Sequence, residues 1–168
     1  FVMAILAMFT TAAHGHLMAE QRGTLNFVNE GAFLVLSAPV SAFVGIDDDG
    51  DGGLSLREFS QHIEAIKKQI CQQVQLLDES NRPMPIQGLL LSPVHLDDNA
   101  REPAKQLMVL GRFSVNDDAL SSRLRINLQG TAANESSINI TVTRDGLSQK
   151  LGFSVETNTH TLFNKVKK

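Results

Sequence analysis

The chain has 168 residues, a formal net charge of −3, 42% hydrophobic residues, and neither Trp nor Tyr. A charge this small, with no dominant basic stripe, gives no electrostatic footprint for a nucleic-acid groove, and the missing Trp and Tyr remove the ring platforms common in carbohydrate binding. One cysteine, Cys71, excludes an intramolecular disulfide.

In chain order, the apolar run Phe1 to Phe9, followed by Thr-Thr-Ala-Ala, reads as the hydrophobic region and cleavage zone of a secretory signal peptide that lacks its front. It is too short to span a bilayer. Residues 1–15 are therefore set apart from a single β-rich domain over 16–168, and the protein is expected to be exported to a periplasmic or extracellular location. Cleavage after Ala13 exposes His14-Gly15-His16, which offers nitrogen ligands to copper or nickel, and cleavage after Gly15 exposes His16, which offers its amine and ring to copper. Next, Thr24 to Val28 and Ala32 to Ser37 form a hairpin around Asn29-Glu30-Gly31. The apolar segment Ala32 to Val40 reads as a strand interrupted by Pro39, with at most one helical turn through Ser41 to Val44.

The next twelve residues, Asp47 to Glu58, read Asp-Asp-Asp-Gly-Asp-Gly-Gly-Leu-Ser-Leu-Arg-Glu. This segment resembles an EF-hand calcium loop in one register. The resemblance implies oxygen ligands from the side chains of Asp47, Asp49 and Asp51, the Gly53 carbonyl, Ser55 directly or through water, and Glu58 with both oxygens. Gly52 falls where such loops turn sharply, and Leu54 matches the apolar residue that anchors them. Magnesium fits less well, because it demands a tight octahedron and dehydrates reluctantly. The resemblance covers only the loop and the helix after it, over 47–74. The acidic stretches starting at Asp97 and Asn116 lack the glycine and the final glutamate, so neither reads as a second loop.

Ser55 followed three residues later by Glu58 has the spacing of a capping box, and Leu56, Phe59, Ile63, Ile66, Ile70 and Val74 form one apolar face. An amphipathic helix packed on a globular body follows. Cys71, beside Ile70, is expected to be a small buried or half-buried apolar residue.

Beyond the helix, Val74 to Leu77 and Ile86 to Leu91 read as strands flanking a loop at Asp78 to Pro85. Leu96 to Ala104 reads as a surface connection. Period-two alternation then places Leu107, Val109, Phe113 and Val115, then Leu124, Ile126 and Leu128, then Ile138, Ile140 and Val142, then Leu151, Phe153 and Val155, on the dry faces of further strands. Asp145-Gly146 marks a hairpin. The fold class expected is α+β, mainly antiparallel β as a sandwich or open barrel, with one amphipathic helix following a calcium loop. Asn164 to Lys168 reads as a frayed end.

No HExxH, CxxC, GxSxG or phosphate-loop pattern occurs, and Asp97, Asp98, Asp117 and Asp118 sit in turn-like stretches without a partner pattern. Arg112, Arg123 and Arg125 offer a basic stripe or the wet face of a sheet. The sequence therefore points to an exported, non-enzymatic protein that binds one calcium ion through Asp47, Asp49, Asp51, Gly53, Ser55 and Glu58, in a structural or regulatory role. Its further protein or small-molecule partner is unknown, and it has no nucleic-acid partner and no membrane span in the mature chain. Two alternatives stand beside this. One is a β-sandwich enzyme or ligand-recognition domain whose calcium shapes a nearby site; the other is a metal-handling accessory protein using His14 and His16.

Overall fold

A computed structural model describes residues 20–95, 102–115 and 122–163. In chain order these carry β1 (Arg22–Val28), β2 (Gly31–Pro39), a 3-10 turn (Val40–Ala42), α1 (Leu56–Gln73), β3 (Val74–Leu77), β4 (Pro83–Met84) and β5 (Ile86–Val94). There follow β6 (Gln106–Ser114), β7 (Arg123–Ile126), a second 3-10 turn (Ala133–Glu135), β8 (Ser137–Arg144), β9 (Leu147–Ser154) and β10 (Thr159–Thr161). The strands form a six-stranded sheet in the order β5-β6-β2-β1-β8-β9 and a four-stranded sheet in the order β10-β7-β3-β4. All pairings within them are antiparallel except β1 with β8. The fold is thus α+β and mainly antiparallel, in two sheets, as the alternation predicts.

Successive strand side chains point to opposite faces, and this fixes where the core lies. Leu25, Leu34, Leu36, Val109, Phe113, Ile138, Ile140 and Val142 from the larger sheet cluster with Leu76, Leu124 and Ile126 from the smaller one. Two tight turns set the register. Asn29 between β1 and β2 has φ of 51°, while Asp145 and Gly146 between β8 and β9 have φ of 48° and 76°. Two consecutive positive values match the twist of the strands they join.

α1 changes directly into β3 at Val74, where the helical spacing of apolar residues gives way to alternation. Ile66 and Ile70 are fully buried in the shared core, each contributing about 1.5–3 kcal/mol by leaving water. The expected apolar face is narrower than its spacing suggests: Leu56, in the first helical turn, is 56% exposed, and Phe59 only packs partly buried against the core. Cys71 is exposed, which corrects the expectation of a buried thiol. One residue along a helix turns the side chain by about a quarter of a circle or slightly more, enough to carry Cys71 off the face that Ile70 buries. The Cys71 thiol of the native protein should therefore react with a maleimide without denaturant; labelling only after unfolding would contradict its exposure.

Other differences are local. β4 lies inside the predicted loop, pairing with β3 at a sheet edge where proline costs no ladder bond. Val155, placed by alternation on a dry face, follows the end of β9 and is 77% exposed. Arg112 belongs to β6 in the larger sheet, whereas Arg123 and Arg125 belong to β7 in the smaller one, so the three do not form one stripe. The end of the predicted surface connection is buried at Ala104. Among the described residues no helix is long and apolar enough to cross a membrane. The predicted leader over 1–15 with His14 and His16, the acidic residues Asp97, Asp98, Asp117 and Asp118, and the tail from Asn164 lie outside the described residues.

Candidate metal centre

The chain reaches the loop from the end of β2. Buried Phe43 and Ile46 fix the lead-in, and Gln69 of α1 clamps it from the other side: its Nε2 donates to the Val44 carbonyl at 3.0 Å while its Oε1 accepts from the Val44 N–H at 2.9 Å. The loop then folds around its own aspartates. Asp47 Oδ1 accepts from the Gly50 N–H at 2.8 Å and its Oδ2 from the Gly52 N–H at 2.9 Å. Asp49 Oδ1 accepts from the Asp51 N–H at 3.2 Å, and Asp51 Oδ1 from the Gly53 N–H at 2.7 Å. Aspartate serves these turns because its short side chain reaches a backbone donor two or three residues ahead, and the second oxygen of Asp47 reaches across the tight loop to one five ahead. The sharp turn expected at Gly52 is present, with φ of 75°.

Glu58 closes the loop and opens the helix. Its Oε1 accepts from the Asp48 N–H at 2.8 Å; its Oε2 accepts from the Ser55 N–H at 2.8 Å and from the Ser55 hydroxyl at 2.7 Å. Ser55 Oγ in turn accepts from the Glu58 N–H at 3.3 Å, completing the capping box that the sequence spacing predicts. The Ser55 hydroxyl and the surrounding backbone donors favour the carboxylate form and lower the Glu58 pKa to about 2. Glu58 is only 5% exposed, and its charge adds favourably to the N-terminal end of α1. Ser55→Ala should cost about 1 kcal/mol of stability from the cap alone, measurable by denaturant unfolding.

One carboxylate oxygen from each of Asp47, Asp49 and Glu58 converges, all within 4.8 Å of one another. The donor set is oxygen only and anionic, which suits a hard cation better than a thiol- or imidazole-seeking metal. The other predicted ligands sit around this trio rather than in it. Asp51 is exposed, with Oδ1 committed to the Gly53 N–H; the Ser55 hydroxyl bonds to Glu58; and Gly53 is buried, so close to Pro103 that a Cβ there would collide with the proline ring.

Three contacts have no signal in the sequence. Leu54, fully buried, forms a two-way antiparallel bridge with Ala104, its N–H donating to the Ala104 carbonyl at 2.9 Å and its carbonyl accepting from the Ala104 N–H at 3.0 Å. Both backbone groups of Leu54 are thereby used within the chain. Lys105 Nζ donates to the Asp51 carbonyl at 3.2 Å, and His62 on α1 meets Asp48 Oδ1 through Nε2 at 2.8 Å. Asp48 thus points away from the converging carboxylates.

Comparison with protein-family models and with curated proteins gave no match.

Proposed function

We propose that the loop from Asp47 to Glu58 binds one calcium ion, as an EF-hand-like site in an exported, non-enzymatic protein, and that the ion fastens α1 to the β sheets. The observation that carries this reading is the convergence of Asp47, Asp49 and Glu58 within 4.8 Å, at the turn where the EF-hand resemblance expects ligands. Asp51, the Gly53 carbonyl and Ser55 are the remaining ligands of this reading, as the EF-hand spacing implies. The role is structural or regulatory: the loop touches α1 through His62 and Glu58, its lead-in touches α1 through Gln69, and the loop touches the segment leading into β6 through Leu54 and Lys105. Millimolar calcium outside the cell suits a site of about 10⁻⁴ to 10⁻³ M affinity.

Calorimetric titration of calcium, with magnesium as competitor, tests this directly. One saturable calcium per chain, displaced poorly by magnesium, is the expected result. Absence of binding at millimolar calcium would remove the site and with it the proposal.

A further inference from the structure

The outward faces of β1, β8 and β9 carry a second feature, unrelated to the acidic loop. A groove of about 440 Å³ runs over these strands, lined by side chains of Arg22, Asn139, Thr141 and Lys150 and floored at Gly152. Strand register explains the grouping. Arg22 lies opposite Asn139 and Asn139 opposite Gly152, while Thr141 lies opposite Lys150. The two cross-strand lines are about 7 Å apart, within reach of an arginine and a lysine closing over a common centre.

Gly152 is the informative residue. Glycine weakens a strand interior and commonly marks a bulge, a tight approach of backbone, or a ligand lying close. The fold accounts for other strand glycines: a Cβ on Gly23 would lie 2.6 Å from the Val35 carbonyl oxygen, one on Gly111 would lie 2.7 Å from Ile86 Cδ1, and Gly88 has φ of 60° in the bulge of β5. Gly152 has no such need. Its pairing with Asn139 is regular, its φ is not positive, and a Cβ would meet only Asn139 Oδ1, at an ordinary 3.6 Å. What the missing side chain does is leave the groove open beside Asn139, with Arg22 in the same cross-strand line and Lys150 two residues along β9, in a chain whose net charge is negative.

We propose that this groove binds an oxyanion, the carboxylate, sulfate or phosphate group of a small ligand, held by Arg22 and Lys150 with Asn139 and Thr141 as neutral hydrogen-bonding partners. Guanidinium and ammonium donors make charge-assisted bonds to such groups, and the hydroxyl and amide supply direction. The volume suits a ligand about the size of a single sugar acid or sugar phosphate.

The test is titration of the protein in calcium-free buffer with inorganic phosphate, with glucuronate, and with phosphatidylglycerol vesicles, followed by backbone amide NMR. Saturable shifts confined to Arg22, Asn139, Thr141, Lys150 and Gly152 are expected with at least one of these probes. The probe that saturates at the lowest concentration assigns the oxyanion to a free ligand or to a lipid headgroup. Gly152→Leu should block the groove and weaken binding about tenfold or more while leaving the melting temperature near that of the wild type. Arg22→Gln with Lys150→Gln should lose binding to a similar extent. If no probe shifts these amides, or if the Gly152→Leu protein binds as tightly as the wild type, the groove is an ordinary wet sheet face and the proposal fails. Neither outcome depends on Asp47 to Glu58, so calcium binding stands or falls separately.

Discussion

Glu58→Gln should abolish the calcium-dependent rise in melting temperature while leaving a folded protein. At ten times Kd, calcium adds about 1.4 kcal/mol to the wild type, or about 3–6 °C for a domain of this size. The variant should show none of this, because an amide replaces the one carboxylate that both converges with Asp47 and Asp49 and caps the helix. It should also melt below the wild type in chelator. A glutamine has a single acceptor oxygen, so it cannot serve the Asp48 N–H from one side and the Ser55 N–H and hydroxyl from the other. A Glu58→Gln protein that kept the full calcium response would show that the ion sits elsewhere.

The same carboxylate gives a pH dependence whose sign is fixed by its depressed pKa. Unfolding returns Glu58 to an ordinary value of 4.5, whereas in the folded chain it titrates at about 2. Below pH 4.5 the unfolded state takes up the proton first, so the contribution of Glu58 is complete above that pH, declines as pH falls, and is gone below about 2. In chelator, the difference in stability between the wild type and Glu58→Gln should narrow across this window. A difference that stayed constant from neutral pH down to the acid limit would mean that the Ser55 and Asp48 bonds do not hold the charge.

How much of this was legible in the sequence follows from the range of each interaction. The hairpin at Asp145-Gly146, the strand alternation from Leu107 to Phe153, and the capping box at Ser55 are local, each decided by residues within a few positions of one another. The parallel pairing of β1 with β8 joins residues more than a hundred positions apart, and nothing in the alternation of either strand distinguishes that partner from another. The acidic loop divides the same way. Its closing Glu58 is legible because its bonds are made within the loop, but spacing alone points to six ligands where the fold brings three together. Asp51 and Ser55 are held by the loop's own hydrogen bonds, a competition for oxygen that spacing alone does not express. Cys71 shows the opposite limit: a neighbour in sequence on a helix is not a neighbour in burial.

The other large effect is expected at Leu54. It is fully buried, and Leu54→Ala should cost about 2–5 kcal/mol through lost burial and the cavity left behind. The consequence for function is more specific than the loss of stability. Leu54 is followed immediately by Ser55, and its backbone is bonded on both sides to Ala104, two residues before β6 begins. The next residue, Lys105, accepts the Val40 N–H through its carbonyl and reaches the Asp51 carbonyl with its ammonium. Order imposed on the loop therefore has a short path into β6, a central strand of the larger sheet. Hydrogen exchange should read that path: in the wild type, calcium should slow exchange at the Ala104 and Val40 amides, which lie outside the loop. In Leu54→Ala the bridge is loosened, so calcium should still slow exchange within Asp47 to Glu58 but protect Ala104 much less. Equal exchange at Ala104 with and without calcium in the wild type would mean that the ion orders its own loop alone, and the regulatory half of the proposed role would have no route into the sheet.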